Sequence, residues 1–499
     1  MREKGLILLL LPATAFLLGL PALRWPFSQD EVLTLILGRA PIGTALRCDV
    51  HPPLFYLWAK PILWLGGSIA WLRTTSLLLS ALGATLIFLL AQTLWGLRGS
   101  ILPVSLFLLS PLRLSLAPCA RPFSLALSLD LLALLMAILY IKRGKAEYLA
   151  LHALFSMTAV LTYALFTLSL LGRLAGGLLA HRRRGLKLVI LSLPALSSVA
   201  AFHLLSPASG SAYLQPNLSF LTGLFIGLSE PGLGVSWFGW PREEVLVPLS
   251  ILSAVAIWGA ILCYREGGGA RLIALSLALS VLGLGTVCGL GLVQPLGRYG
   301  MVALGPFVLC AGRASWGLRH RLMRAFCRVC LGGLIATGVG AVALLPRAQL
   351  TLDWPSLAEV VRRNVNPGEI LICDPPSAGV ILRRYLRKPV NLIPKGEVWF
   401  TRLGHFEGLN GRPFKAEKAR MEMRKASKDA GRIWVLRWSN APPVWPTFPK
   451  ELGFKPVILW EFRGKVESAM LVLYRKEGLR VNRGVAPPTW RSWKWLRRP

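Results

Sequence analysis

Uninterrupted apolar runs of about twenty residues recur over the first two thirds of the chain, beginning with GLILLLLPATAFLLGLPAL directly after MREK. That is the length a helix needs to cross a hydrocarbon core. Inside such a core every backbone N–H and C=O must be paired within the segment or its immediate partners. The chain therefore reads as a polytopic α-helical membrane protein. A soluble enzyme of 499 residues would show amphipathic periodicity instead. Composition agrees: 54% of residues are hydrophobic and mean hydropathy is +0.55. The first run resembles a signal peptide. Its apolar core is long, no small-x-small site precedes Arg24, and further runs follow, so it is read as a retained first helix.

Clusters of Lys and Arg punctuate these runs and alternate between the two sides. The pattern predicts eleven spans, at about 5–23, 70–96, 101–117, 123–141, 147–163, 165–180, 187–205, 245–264, 271–291, 299–314 and 326–346. The basic loops MREK, GLRGS, IKRGKAEY, HRRRGLK, YREGGGAR and GRASWGLRHRLMR then all fall on the cytoplasmic side. The outside receives two long loops, 24–68 and 206–243, and everything after residue 346. The formal net charge of +34 is explained by the cytoplasmic loops and their contact with anionic lipid. No soluble basic face with interleaved aromatics stands out, so nucleic acid is not an expected partner. The eight cysteines form no disulfide framework, and Cys327-x-x-Cys330 lacks the second pair of a metal site.

Residues 347–480 read as a small α/β domain outside the membrane. SLAEVVRRNV is helix-periodic, PGEILICD is a turn and buried strand, RIWVLRW is a second strand and AMLVLYRK a closing one. The remaining stretch, 481–499, is a basic tail with Trp490, Trp493 and Trp495, which lies on the membrane interface or is disordered.

Ionisable groups near a membrane are expensive and are usually functional or paired. In a chain with few acids, Asp30, Glu31, Asp49 and His51 crowd into FSQDEVLTLILGRAPIGTALRCDVHPPLFYLW. The stretch EVLTLILGRA has the apolar content of a short interfacial helix. A second helix is expected to begin at Pro52 or Pro53, because proline favours the first helical turn and pushes the preceding residue out of helix. Its N-terminus would suit a phosphate. On the other reading, Asp49 caps that helix and His51 is a satisfied polar residue. Arg121 lies in the tight turn PCARPFSL, where a guanidinium either clamps a phosphate or snorkels to headgroups. Arg298 and Tyr299 repeat the pattern before span ten. Asp130, deep in span four, is read as a structural partner of Arg173. The second outside loop carries Glu230, Trp237 and Trp240, candidates for an acceptor entrance under a mobile lid.

An acidic pair after span one, D-x-H-P-P-L-x-Y-L, S-P followed by A-R-P-aromatic, and a late R-Y together resemble the GT-C superfamily of membrane glycosyltransferases. The closest likeness is to bacterial family-39-like members, which are similar to protein O-mannosyltransferases, aminoarabinose transferases and galacturonosyltransferases. The resemblance covers about residues 5–346; LLSPLRL, HPPLFYLW and CARPFSL are its specific pieces. The sequence departs from the pattern at Cys119, where the family's turn carries an acid. The resemblance implies a polyprenyl-phosphate-sugar donor, a hydroxyl acceptor on a glycan, lipid or protein, and a site at the outer face of the cytoplasmic membrane. It also implies that Asp30 is the base, with Glu31 the second choice or else a residue that orients Asp30 or hydrogen-bonds sugar hydroxyls. Asp49, His51, Arg121, Arg298 and Tyr299 then bind substrate or phosphate. No cofactor is required, although Asp30, Glu31 and Asp49 are the acids that would hold a divalent metal. Two rival readings remain open: a transporter or flippase of lipid-linked sugars, and a non-catalytic membrane scaffold.

Overall fold

The computed structural model describes residues 2–25, 28–43, 51–205, 216–233, 242–290, 297–317, 321–344, 354–366, 368–374, 376–386, 390–393, 398–400, 406–408, 416–428, 430–438, 448–451, 454–463 and 468–476. The chain divides into two compact units. One comprises Met1–Pro355, Val398–Phe414 and Gly464–Glu467; the other comprises Ser356–Glu397, Lys415–Arg463 and Ser468–Pro499.

The first unit is helical. Its helices are α1 (Arg2–Gly19), α2 (Gln29–Arg39), α3 (Leu54–Trp64), α4 (Ile69–Leu108), α5 (Pro111–Leu116), α6 (Phe123–Arg143) and α7 (Ala146–Thr162). There follow α8 (Phe166–Ala180), α9 (Arg182–Leu205), α10 (Pro216–Leu233), α11 (Arg242–Glu266), α12 (Gly268–Gly289), α13 (Met301–Gly317) and α14 (Arg321–Leu344). Among the described residues, five segments are long and apolar enough to cross a membrane: Gly5–Arg24, Ile69–Leu109, Phe123–Arg143, Arg182–Ala201 and Gly268–Gly289. Ala146–Thr162, Phe166–Ala180 and Cys327–Ala343 are shorter apolar helices. The protein is a multi-pass membrane protein, and the described residues show five segments of spanning length where eleven spans were expected.

Part of the difference lies in α4, where two expected spans form a helical hairpin. Gly96 breaks it with φ +74° and ψ −176°, a backbone region that glycine enters without steric cost. The tip of Phe107 lies 3.1 Å from where a Cβ on Gly83 would be. In a straight helix these residues would be roughly 36 Å apart, so the two halves fold back on each other. The second half also stops early. Ser110 leaves the helical region before Pro111, with ψ 120°, and its hydroxyl accepts from the Arg113 N–H to start α5.

Residues 206–243 are not simply a loop. They contain α10, whose Gly223 and Gly227 lie against α12. A Cβ on Gly223 would sit 2.6 Å from the Leu284 carbonyl oxygen, and one on Gly227 would sit 3.0 Å from the Val281 Cα. Small residues four apart let helix backbones approach this closely in an apolar medium. Pro216, Asn217, Ser229, Glu230 and Pro231 dilute the hydropathy of this stretch, which hides the helix from a reading by composition.

Asp130 on α6 meets Arg173 on α8 as expected. The Arg173 guanidinium donates to Asp130, and Ser169 Oγ donates to the same carboxylate at 2.9 Å. Both ions are essentially inaccessible.

The second unit is built on a five-stranded mixed sheet. Its strands are β1 (Ile370–Asp374), β2 (Asn391–Ile393), β5 (Arg432–Trp438), β6 (Phe454–Arg463) and β7 (Ser468–Lys476), in the order β2-β1-β5-β7-β6. The hairpin β3 (Val398–Phe400) with β4 (Phe406–Gly408) is a separate antiparallel pair that belongs to the first unit. Strand β1 is parallel to β2 and β5, while β7 is antiparallel to β5 and β6. Strand β7, expected to close the sheet, lies inside it. The edge strand beyond β7 is β6, which carries Pro456 and a register irregularity beside it; both blunt further strand pairing. The basic tail 481–499 lies outside the described residues.

Removing one partner of a buried ion pair strands the other. Asp130→Asn is therefore expected to cost about 3–5 kcal/mol, and the double replacement Asp130→Leu with Arg173→Met far less. Thermal unfolding of the purified variants in detergent measures both.

Candidate active site

The site is built on the stretch between α1 and α4. At the start of α2, Ser28 and Glu31 form a capping box: Ser28 Oγ accepts from the Glu31 N–H, and Glu31 accepts from the Ser28 N–H at 2.9 Å. Glu31 goes on to bind Arg73 at the start of α4. Arg73 Nε donates to Oε1 at 2.7 Å and Nη2 to Oε2 at 2.6 Å, a two-pronged guanidinium–carboxylate pair. The third nitrogen of Arg73 donates to the carbonyls of Leu23 and Trp25, at 3.2 and 2.7 Å. Oε1 of Glu31 also takes the Ala120 N–H at 3.0 Å. One ion pair thus joins the end of the first span, α2, α4 and the turn before α6.

This arrangement corrects the reading of Glu31 as a candidate base. It is 1% exposed and both its oxygens are occupied. Burial alone would raise its carboxyl. The charge and hydrogen bonds of Arg73, with the Ala120 and Ser28 N–H groups, outweigh burial and hold it below its ordinary value. Asp30, one residue earlier, points elsewhere. Its carboxylate pairs with Arg298, and the two side chains are 30% and 26% exposed.

Arg121 does not snorkel; it is 4% exposed. Its Nη1 faces the Asp30 carbonyl and Thr34 Oγ1 at 3.3 Å and the Tyr56 hydroxyl at 3.4 Å. Arg298 lies in a short 3-10 turn, Gly297–Gly300, that leads into α13. Its guanidinium is 5.9 Å from the centre of the Tyr299 ring. Burial would lower the Arg298 pKa, but Asp30, Tyr299 and Tyr163 raise it further, so it remains a cation. His51 precedes α3, whose cap is Pro53, at the position expected from the two prolines. It is 6% exposed. Its ring lies 5.0 Å from that of Tyr163 and 6.4 Å from that of Phe123.

Asp30, His51, Arg121, Arg298 and Tyr299 therefore come together near Tyr163, which the sequence analysis did not single out. Arg73 was missed as well. Ser28-Gln-Asp-Glu31 is a capping-box spacing and Arg73 is a cation at the head of an apolar run, but nothing local names the pairing between them, and nothing local marks Tyr163. Asp49, Trp237 and Trp240 lie outside the described residues, as does the Glu230 side chain.

Cys119 occupies the turn position where the GT-C pattern has an acid. Its Sγ donates to the Ser115 carbonyl at 3.3 Å. Burial, reinforced by the Glu31 charge, raises its pKa, so it is a neutral thiol and not a substitute carboxylate. Of the three acids named for a metal, Asp49 lies outside the described residues. Glu31 is saturated, and no group of three His, Cys, Asp or Glu that could hold one is present among the described residues.

Two solved structures of similar fold are those of ArnT from Cupriavidus metallidurans. The apo form matches with TM-score 0.56 and 14% identity, covering 94% of this chain and 98% of that one. The form bound to undecaprenyl phosphate matches with TM-score 0.51 and 13% identity over the same shares. No family model and no curated protein matches the sequence. The chain thus shares the overall fold of these ArnT structures.

Replacing Glu31 by Gln leaves Arg73 a buried cation without its counter-charge, at an expected cost of about 3–5 kcal/mol. The Glu31 carboxyl titrates below 4.5 when folded. Its contribution is therefore complete above that ordinary value and is lost as pH falls through the folded value. Acid titration of thermal stability should show this loss in the wild type and a flatter profile in Glu31→Gln.

Proposed function

We propose that this protein is an integral membrane glycosyltransferase. It moves a sugar from a polyprenyl-phosphate-linked donor to a hydroxyl acceptor at the outer face of the cytoplasmic membrane. The supporting observation is the pairing of the accessible Asp30 carboxylate with Arg298, with Arg121 against the Asp30 backbone carbonyl, in a membrane protein of ArnT-like fold. A structure of that fold holds undecaprenyl phosphate, a lipid of the class that two arginines at a membrane surface would recognise.

In this reading the lipid phosphate is bound by Arg298 and Arg121, with His51 and Tyr299 beside it. Arriving phosphate competes with Asp30 for Arg298, and the released carboxylate then accepts the proton of the attacking hydroxyl. As the anomeric carbon–oxygen bond breaks, its electron pair passes to the phosphate, where the two guanidiniums stabilise the growing charge. Single displacement with inversion requires the Asp30 carboxylate, once released from Arg298, to meet the hydroxyl on the face of the anomeric carbon opposite the phosphate. Glu31 takes no part in the chemistry; through Arg73 and Ala120 it fixes Asp30 and Arg121 relative to each other. Glu230, Trp237 and Trp240 belong to the acceptor side. The sheet unit is assigned to the same outer side by charge alternation in the basic loops.

The flippase reading drew on one feature, an acid inside the membrane. Asp130 is taken by Arg173 and Ser169, which favours the transferase.

Asp30→Asn keeps the shape of the side chain and removes the base. Transfer from a labelled polyprenyl-phosphate sugar, assayed in proteoliposomes, is expected to fall by about 10²–10⁴-fold. Full transfer by this variant would overturn the assignment.

A further inference from the structure

Tyr163 ends α7 in extended backbone, φ −152° and ψ 103°, and the chain re-enters helix at Phe166. Its ring is held by three others. The centroids of His51, Phe123 and Phe166 lie 5.0, 5.5 and 6.0 Å away. The residue is 2% exposed, and its hydroxyl has no hydrogen-bond partner among the described residues. Arg298, Arg121 and Asp30 all act on it electrostatically.

A buried hydroxyl without a partner is less favourable than the hydrogen of phenylalanine in the same place. Phenylalanine would keep every ring contact. Packing alone therefore gives no reason for the oxygen, whereas a ligand acceptor would. Nε of Arg298 is a second buried donor without a partner. An unmatched phenol O–H and an unmatched N–H of a guanidinium call for an anionic oxygen ligand.

We propose that the Tyr163 hydroxyl donates a hydrogen bond to a phosphate oxygen of the lipid-linked donor, beside Arg298 and Arg121; this rests on the glycosyltransferase reading above. The bond strengthens as charge builds on the departing phosphate, so Tyr163 contributes to the transition state as well as to binding. The neighbouring aromatic rings fix the direction of the O–H before the donor arrives. A phenol is protonated at neutral pH, so the proton is in place as a donor.

The test compares wild type with Tyr163→Phe as full-length protein in nanodiscs, with undecaprenyl phosphate as the probe. A hydrogen bond to a charged acceptor predicts binding about 10- to 100-fold weaker in the variant. Binding of undecaprenol, which lacks the phosphate, should not change. Thermal stability without lipid should be equal or higher, because an unmatched buried hydroxyl has been removed. Unchanged affinity for undecaprenyl phosphate would overturn the proposal. So would a loss of affinity that accompanies a loss of stability, since the hydroxyl would then be structural. Equal competition by inorganic phosphate or phosphatidylglycerol would overturn the lipid-donor assignment in favour of a general anion site. Failure of the wild type itself to bind undecaprenyl phosphate would instead defeat the glycosyltransferase reading.

Discussion

The Glu31–Arg73 pair is the contact on which the rest of the site depends. Arg73 uses all three of its nitrogens: two bind the carboxylate, and the third takes two carbonyls at the end of the first span. Glu31 returns the connection to the Ala120 N–H. Burying a lone charge here would be prohibitive. Each ion is tolerable only because the other, and the backbone groups around them, are in place. The pair therefore sets the geometry between α2, which carries Asp30, and the turn that carries Arg121.

Adjacent acids take different roles because of helix geometry. At the third position of α2, Glu31 reaches back to the cap and inward to Arg73. Asp30 projects about 100° around the helix from it, to the side where Arg298 stands. One acid is consumed by structure and the other is left accessible, paired with a cation that an anionic ligand can draw away. Tyr163 and its aromatic neighbours close the other side. Proposed donor binding and proton acceptance thus share a single ion pair, Asp30–Arg298, so that the base is released when the substrate arrives.

Much of this was legible in the residues. Apolar runs identify the membrane helices, since nothing but a helix or a closed barrel satisfies the backbone in lipid. Asp130 implied a partner, and Arg173 is that partner. Arg298-Tyr299 and Ala120-Arg121-Pro122 flagged two cations at helix ends, and both reach Asp30. Other features were hidden for physical reasons. Arg73 at the head of an apolar run resembles an ordinary headgroup contact, so its long-range pairing with Glu31 is invisible locally. Tyr163 is one aromatic among many, and only the convergence of elements distant in sequence makes its hydroxyl unusual. Helix α10 escaped because its stability comes from close approach at Gly223 and Gly227 and not from apolar length. The hairpin in α4 turns on one positive φ at Gly96, a property glycine permits but does not announce.

The most direct test is product analysis with the purified protein in proteoliposomes supplied with a polyprenyl-phosphate sugar and a hydroxyl acceptor. The account predicts one polyprenyl phosphate released per glycosidic bond formed, with inverted configuration at the anomeric carbon. Movement of the intact lipid-linked sugar across the bilayer with no glycosidic product would contradict it, as would a product that retains the donor's configuration.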